Sequence, residues 1–395
     1  MDVIVSKSSL MGTIDAIPSK SFAHRAMICD FLANKTVTEY DFSEDVIATA
    51  NCLKAILSGE VLNANESGST LRFLLPVVAS IGGNFVFTGS QRLLERPLDE
   101  LFSALNSHGV SVQKKDNKIF VSGKLTAGEY NIRGDISSQY LTGLLLALPN
   151  LNGDSVIKLT TALESRPYID ITLEVLKNYG VNIVEENGAF IIKGNQIFKG
   201  KNHIEGDWSN ASFWLVAGAI NGKITVNNLN ANSVQGDRKI IEIIKKAGGK
   251  ISLVNNSVTV EKSKLKAFLF DFKNFPDLVP ICAVLASKTD GVCYLKNVER
   301  LRLKESDRIA STLAFLTNLG IDAKYEKSDL IVKGGAFSGG TVSSFNDHRI
   351  TMSAIIAGLT AKNEVEITGA EAIKKSYPNF IDDLILLGGK ANANG

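Results

Sequence analysis

Cysteine, histidine and proline are scarce, at 4, 4 and 8 of 395 residues. The cysteines (Cys29, Cys52, Cys282, Cys293) show no C-x-x-C spacing, and three lie in or beside apolar runs. They read as buried free thiols of a protein kept in a reducing compartment, not as a disulfide frame. None sits in a cationic loop, so a thiol nucleophile is not expected. The histidines (His24, His108, His203, His348) show neither H-E-x-x-H nor Cys/His metal spacing. A Walker loop and a G-x-G-x-x-G turn are also missing, so no metal and no nucleotide cofactor is expected. No apolar run reaches the ~18 residues of a membrane-spanning helix. The opening M-D-V-I-V-S-K begins with an acid and alternates like a strand, unlike a signal or transit peptide, and a cytoplasmic location is expected. Net charge is small, 43 − 41 = +2. Without a basic excess or stripe, nucleic acid is not an expected partner.

What is present is repetition. A glycine follows an amphipathic run at Gly109, Gly180, Gly248, Gly320 and Gly388, at spacings of 71, 68, 72 and 68. Glycine suits the left-handed residue that ends a helix. After each of the first four come two alternating runs around a polar turn (VSVQKKDNKIFVSG, VNIVEENGAFIIKG, KISLVNNSVTVEK, IDAKYEKSDLIVKG), which read as hairpins. A weaker first copy ends near Gly59. Six copies of one βαβαββ unit account for almost the whole chain, an α/β architecture. They divide three plus three near Glu205–Asp207, into a domain of residues 17–206 and a discontinuous one of residues 1–16 plus 207–395. The strand Asp2–Ser6 has no neighbour of its own and is expected to pair with the C-terminal half.

The candidate site residues cluster where polar groups open apolar helices. Pro18–Arg25 (P-S-K-S-F-A-H-R) runs straight into Ala26–Ala33. The same arrangement recurs at Ser67–Arg72, Ser137–Gln139, Asp207–Ser212, Phe275–Asp277 and Asn346–Arg349. A helix start carries unpaired N–H groups and partial positive charge, so it attracts anions. It contributes ~0.3–1 kcal/mol, far below the ~8 kcal/mol of micromolar binding, so lysine and arginine must supply the rest. The six starts are expected to face one cleft for small anionic metabolites. Lys20, Ser21 and Arg25 stand at the first start, and Gly68 lets a ligand approach the backbone at the second. Arg96 and Arg166 each precede a proline and are held extended. Ser137, Ser138 and Gln139 offer two hydroxyls and an amide. Asp277 is a carboxylate ahead of an apolar helix, a general base or a dipole partner. Each has a plainer reading as a cap or solvated loop. The run Leu301–Arg308 (L-R-L-K-E-S-D-R) is, by itself, better read as a solvated helix laced by ion pairs.

In this order, S-K-S-x-x-x-R, E-R-P, S-S-Q-Y-L-T, R-P-Y-I-D, L-K-E-S-D-R and N-D-H-R resemble the 5-enolpyruvylshikimate-3-phosphate synthase family, over nearly the whole chain. The resemblance implies a two-domain enolpyruvyl transferase-like fold (an inside-out α/β barrel), three units per domain. It implies transfer of the enolpyruvyl group of phosphoenolpyruvate to the 5-hydroxyl of shikimate 3-phosphate, with release of phosphate. It places shikimate 3-phosphate at Lys20, Ser21, Arg25, Ser137, Ser138, Gln139, Ser165, Tyr168, Asp277 and Lys304. It places phosphoenolpyruvate at Lys20, Gly68, Arg96, Gln139, Arg308, Arg349 and Lys375. Lys20, Asp277, Glu305 and Lys375 become the candidates for proton transfer. Members of the family are mostly monomers. Four positions depart from the usual pattern. Glu66 stands for an asparagine, Ser69 for a threonine, His24 for another polar residue, and Arg300 for an asparagine that contacts the shikimate phosphate, a role not carried over here. The alternatives are UDP-N-acetylglucosamine enolpyruvyl transferase, whose usual loop cysteine is not evident, and a non-catalytic anion-binding relative.

Overall fold

The computed structural model describes residues 1–40, 42–201 and 203–394; positions 41, 202 and 395 lie outside the described residues. The chain forms two compact units. One comprises Ser19–Ile204, the other Met1–Pro18 with Glu205–Gly395.

Among the described residues there are five four-stranded sheets, two in the first unit and three in the second, all with one pattern of pairing, a parallel pair followed by two antiparallel neighbours. In the sheet Leu269–Asp271, Val292–Lys296, Asp329–Lys333, Ala323–Glu326, the first two strands are parallel and the last two form an antiparallel hairpin. Its chain order is strand, helix, strand, helix, hairpin. The strand Asp2–Ser6 takes an inner place in the last sheet, antiparallel to both Val365–Thr368 and Lys390–Asn394. All five sheets are open and none closes into a barrel. The copy that ends near Gly59 has the helices Lys20–Asn34 and Glu44–Ser58 but forms no sheet of its own among the described residues. Three residues separate Ser58 from the next strand at Leu62, too few for a hairpin.

Local chemistry explains the repeated elements. The five spaced glycines have φ of 83°, 73°, 82°, 83° and 91°, the left-handed region that ends a helix. The hairpin turn Asp116-Asn117 has φ of 49° and 54°, and Lys327-Ser328 has 49° and 74°. Positive φ at both central residues matches the right-handed twist of the strands they join.

Each unit has a core of apolar helices. In the larger unit every residue of Val279–Ser287 and His348–Gly358 is buried, as is Trp208–Asn221 except at Ser209 and Asn221. These three helices pack on one another. Trp214 stacks on Phe380 at 4.5 Å beside them. In the smaller unit Gly68–Ile81 packs on Ser138–Ala147, which also meets Lys20–Asn34 and Arg166–Asn178.

The approach of Gly68–Ile81 to Ser138–Ala147 depends on one glycine. A Cβ at Gly143 would stand 2.5 Å from the Arg72 carbonyl oxygen and 3.0 Å from the Pro76 ring. Pro76 lies inside the helix and has no N–H to return to that carbonyl four residues back. Overpacking here forces the helices apart, so Gly143→Ala is expected to cost about 1–3 kcal/mol. A urea midpoint equal to that of the wild type shows instead that the helix pair relaxes freely.

Candidate active site

In the smaller unit, three helices open on serine: Ser19 before Lys20–Asn34, Ser67 before Gly68–Ile81, and Ser137 before Ser138–Ala147. Serine caps the turn without adding charge. Ser67 Oγ accepts from the Thr70 N–H at 3.2 Å, and Ser137 Oγ from the Gln139 N–H at 3.3 Å. Around these starts stand Lys20, Arg25, Arg72 and Arg96. Lys20 Nζ pairs with Asp45 Oδ2 at 2.7 Å. Arg25 is 2% exposed. It donates to the Ser21 carbonyl at 2.6 Å, Thr172 Oγ1 at 2.8 Å and the Tyr168 carbonyl at 3.0 Å, and it lies over the Phe73 ring. Burial works against its charge, lowering the guanidinium from its usual value while leaving it protonated at neutral pH.

Gly68 earns its place by what lies against it. A Cβ there would meet Arg72 Nη1 at 2.6 Å and Arg96 Nη1 at 2.9 Å, so two guanidinium groups crowd the start of this helix. Gln139 ties the neighbouring start to it, accepting from Arg72 Nη1 at 3.0 Å and donating to Ser69 Oγ at 3.0 Å. Ser165 is buried with φ 56° at the start of the helix whose Tyr168 carbonyl holds Arg25. Arg166 turns instead to Asp170 at 2.6 Å and to Glu185 through two bonds of 2.7 Å. It serves as a brace between helix and sheet.

In the larger unit the helix starts carry aspartate. Asp207 and Asp347 cap Trp208–Asn221 and His348–Gly358, and Asp277 lies in the turn Pro276–Leu278 ahead of Val279–Ser287. The run Leu301–Arg308 is not one solvated helix. It is a short turn, Glu299–Leu303, followed by an extended Lys304 and by Asp307 capping Arg308–Asn318. Arg308 consequently points inward and is 1% exposed. It meets Asp347 at 2.7 Å, Asp277 at 2.9 Å and Glu305 at 2.7 Å. Burial opposes its charge, but the three carboxylates outweigh burial and raise the guanidinium above its usual value. Asp277 in turn receives Lys304 Nζ at 3.2 Å and Arg349 Nη2 at 3.1 Å. Burial holds the Lys304 ammonium below its usual value, against the pull of Asp277. Lys375 is 7% exposed and donates to the Asn346 carbonyl at 2.6 Å.

The sequence-derived residues therefore fall into two clusters. Lys20, Ser21, Arg25, Gly68, Arg96, Ser137, Ser138, Gln139, Ser165 and Tyr168 belong to the smaller unit. Asp277, Lys304, Glu305, Arg308, Arg349 and Lys375 belong to the larger. From sequence, no role attaches to Arg72, Asp45, Asp347 or Asp237. Asp347 stood inside the N-D-H-R motif, where a capping aspartate hides a second duty as the clamp of Arg308. Asp237 had no signal, since Q-G-D-R-K resembles an ordinary surface turn. It is buried, and burial together with the charge of Asp277 pushes its carboxyl up to about 6. All four cysteines are buried and unpaired. Among the described residues, no helix is long and apolar enough to cross a membrane, and no cluster of three or more His, Cys, Asp or Glu is placed to hold a metal ion.

Two units of open sheets around buried helices, with cations gathered at the helix starts, define an enolpyruvyl transferase class of fold. The structure superposes on EPSP synthase from Acinetobacter baumannii with TM-score 0.81 at 22% identity, covering all of both chains. It superposes on the enolpyruvyl transferase NikO from Streptomyces tendae with TM-score 0.77 at 15% identity, covering 99% and 98%. Within that class, the family model described as EPSP synthase (3-phosphoshikimate 1-carboxyvinyltransferase) matches residues 36–384, and the chain belongs to that family. It is 40% identical to the 3-phosphoshikimate 1-carboxyvinyltransferase of Clostridium kluyveri, covering 98% of this chain and 97% of that one. It is 39% identical to the enzyme of that name from Clostridium acetobutylicum, over the same shares.

The raised Asp237 carboxyl carries a stability consequence. A carboxyl whose folded value lies above its unfolded one contributes stability below the unfolded value and loses it as pH rises through the folded one. Asp237→Asn is therefore expected to be more stable than the wild type at pH 8 and to lose that advantage by pH 4. Urea melts at both pH values check this; no gain at pH 8 means that Arg349 fully compensates the buried charge.

Proposed function

We propose that this chain transfers the enolpyruvyl group of phosphoenolpyruvate to the 5-hydroxyl of shikimate 3-phosphate and releases phosphate, a step toward chorismate and the aromatic amino acids. It acts as a cytoplasmic monomer on small-molecule substrates, without a cofactor. The observation that carries this reading is Asp277, a carboxylate at a helix start held by Lys304, Arg308 and Arg349 within 3.2 Å. A base and the cations for an anionic substrate are thereby assembled on one group.

The capping chemistry supports a division of labour. In residues 17–206 the helix starts at Gly68 and Ser138 are capped by the neutral Ser67 and Ser137, which leaves their positive ends for the phosphate of shikimate 3-phosphate. Ser137, Ser138, Ser165 and Lys20 are assigned to that phosphate. Ser21, Arg25, Gln139 and Tyr168 are assigned to its ring and carboxylate. Lys20, Gly68, Arg96 and Gln139 also take phosphoenolpyruvate. The discontinuous domain, residues 1–16 plus 207–395, supplies Asp277 and Lys304 to the acceptor, and Arg308, Arg349 and Lys375 to phosphoenolpyruvate.

The acceptor oxygen attacks the central carbon of phosphoenolpyruvate while the methylene carbon gains a proton. The methyl group so formed then loses a proton as the C–O bond to phosphate breaks. Asp277 takes the hydroxyl proton, exchanging one of its present cation contacts for the substrate. Contacts of this kind form fully only once substrate is bound. Glu305 and Lys375 handle the proton on the methylene carbon. Lys20 donates to the bridging oxygen of the departing phosphate.

The deciding experiment is phosphate release from phosphoenolpyruvate with shikimate 3-phosphate or UDP-N-acetylglucosamine supplied separately. Release only with shikimate 3-phosphate is expected. Release only with the sugar nucleotide moves the chain to the sister activity, and release with neither leaves an anion-binding protein. Asp277→Ala and Glu305→Ala are each expected to lose ~10²–10⁴-fold in rate, and wild-type turnover in either removes that residue from the mechanism. Gly68→Ala pushes Arg72 and Arg96 off the helix start. It is expected to raise KM for phosphoenolpyruvate by about tenfold, the ~1.4 kcal/mol of one weakened charged contact; an unchanged KM excludes these two arginines from that site.

A further inference from the structure

Between Lys20 and Arg25 lies a residue to which the proposed reaction gives no role. His24 is 1% exposed, yet it sits on the helix that carries both cations. Its Nδ1 is 2.7 Å from Thr49 Oγ1. Thr49 Oγ1 is 2.6 Å from Thr70 Oγ1, and Thr70 Oγ1 is 2.7 Å from Ser67 Oγ. Ser67 is the cap of the helix that begins at Gly68. The chain therefore runs, wholly buried, from one anion-attracting helix start to the next. A side branch leads back to Lys20, because the Asp45 carbonyl oxygen lies 3.3 Å from Thr70 Oγ1 while the Asp45 carboxylate holds Lys20.

The ring is neutral, since burial first, and then Lys20 and Arg25, hold its pKa well below the usual value. One nitrogen carries the proton. Nε2 is buried with no hydrogen-bond partner among the described residues, so a proton there leaves a donor without an acceptor. With the proton on Nδ1, His24 donates to Thr49, Thr49 to Thr70, and Thr70 to Ser67. Ser67 Oγ then accepts from both the hydroxyl and the N–H of Thr70, which agrees with its geometry as a cap.

We propose that His24 is a positioning residue, which through the Thr49–Thr70–Ser67 hydroxyl chain fixes the helix start at Gly68 relative to the helix start at Lys20. Its effect is on the grip for phosphoenolpyruvate, so the inference rests on the function proposed above. His24→Leu fills the site and removes the bond. It is expected to raise KM for phosphoenolpyruvate about tenfold, the size of one buried hydrogen bond, with a smaller change in kcat. His24→Asn presents an amide N–H near the place of Nδ1 and is expected to recover most of the loss. Thr49→Val is expected to match His24→Leu, and the double variant to be no worse than either single one, because both cut one chain.

Equal behaviour of the leucine and asparagine variants, an unchanged KM, or additive losses in the double variant overturns the proposal. If His24→Leu does not fold, His24→Met takes its place in the same comparisons with His24→Asn, Thr49→Val and the double variant. A wild-type protein that releases no phosphate rejects the functional reading and this inference with it. Wild-type release with unaffected variants rejects the inference alone.

Discussion

The structure depends on burying apolar helices whose ends are polar. A helix such as Val279–Ser287, enclosed along its whole length, has no polar face to turn to water. Its unpaired N–H and C=O groups are concentrated at its two ends, where they need partners. In the larger unit the starts find aspartates. At the far ends, the Asn221 side chain donates to the Ser8 and Leu359 carbonyls, and Lys288 follows the last turn of Val279–Ser287. Burial, and then Lys262 and Lys7, hold the Lys288 ammonium below its usual value. A cation just past the C-terminal end of Val279–Ser287 and carboxylates at the starts are the arrangement that helix dipoles favour.

The two units meet this requirement with different residues, and the difference has chemical consequences. Serine caps in the smaller unit satisfy N–H groups while leaving positive potential at the helix start. Aspartate caps in the larger unit consume that potential and become negative anchors themselves. The cap Asp347, with Asp277 from the turn ahead of Val279–Ser287, can then hold Arg308 almost out of contact with water. Charges buried in this way cost several kcal/mol each to desolvate and are tolerable only with several partners in good geometry. Arg308 has three, and they fix the positions of Asp277 and Glu305 in turn. The clamp is thus a means of presenting carboxylates at defined places. Removing one partner would leave a buried charge uncompensated.

Much of the architecture is written in local patterns. The spaced glycines need positive φ, the polar pairs between alternating runs need tight turns, and the capping residues stand where helices begin. These depend on neighbours in sequence, so the elements and the unit Leu269–Lys333 are legible without a structure. The short connection after Gly59 was harder to judge, because helical periodicity continues whether or not a hairpin follows. The run Leu301–Arg308 misled for a related reason. Its spacing suits a solvated helix, and nothing local says that Arg308 turns toward Asp347, 39 residues away.

Sequence alone determined which side chains stand at helix starts, and the motif order there carries the resemblance to the family. Backbone propensity and capping act within a few residues, so such features survive in a one-dimensional reading. The tertiary structure alone decided which charges meet. Asp237 touches the problem only because the fold buries it near Asp277, and His24 only because Thr49 comes to its ring, and Thr70 to Thr49, from other helices. Electrostatic strength inside a protein depends on distance and desolvation, and neither exists until the chain has packed.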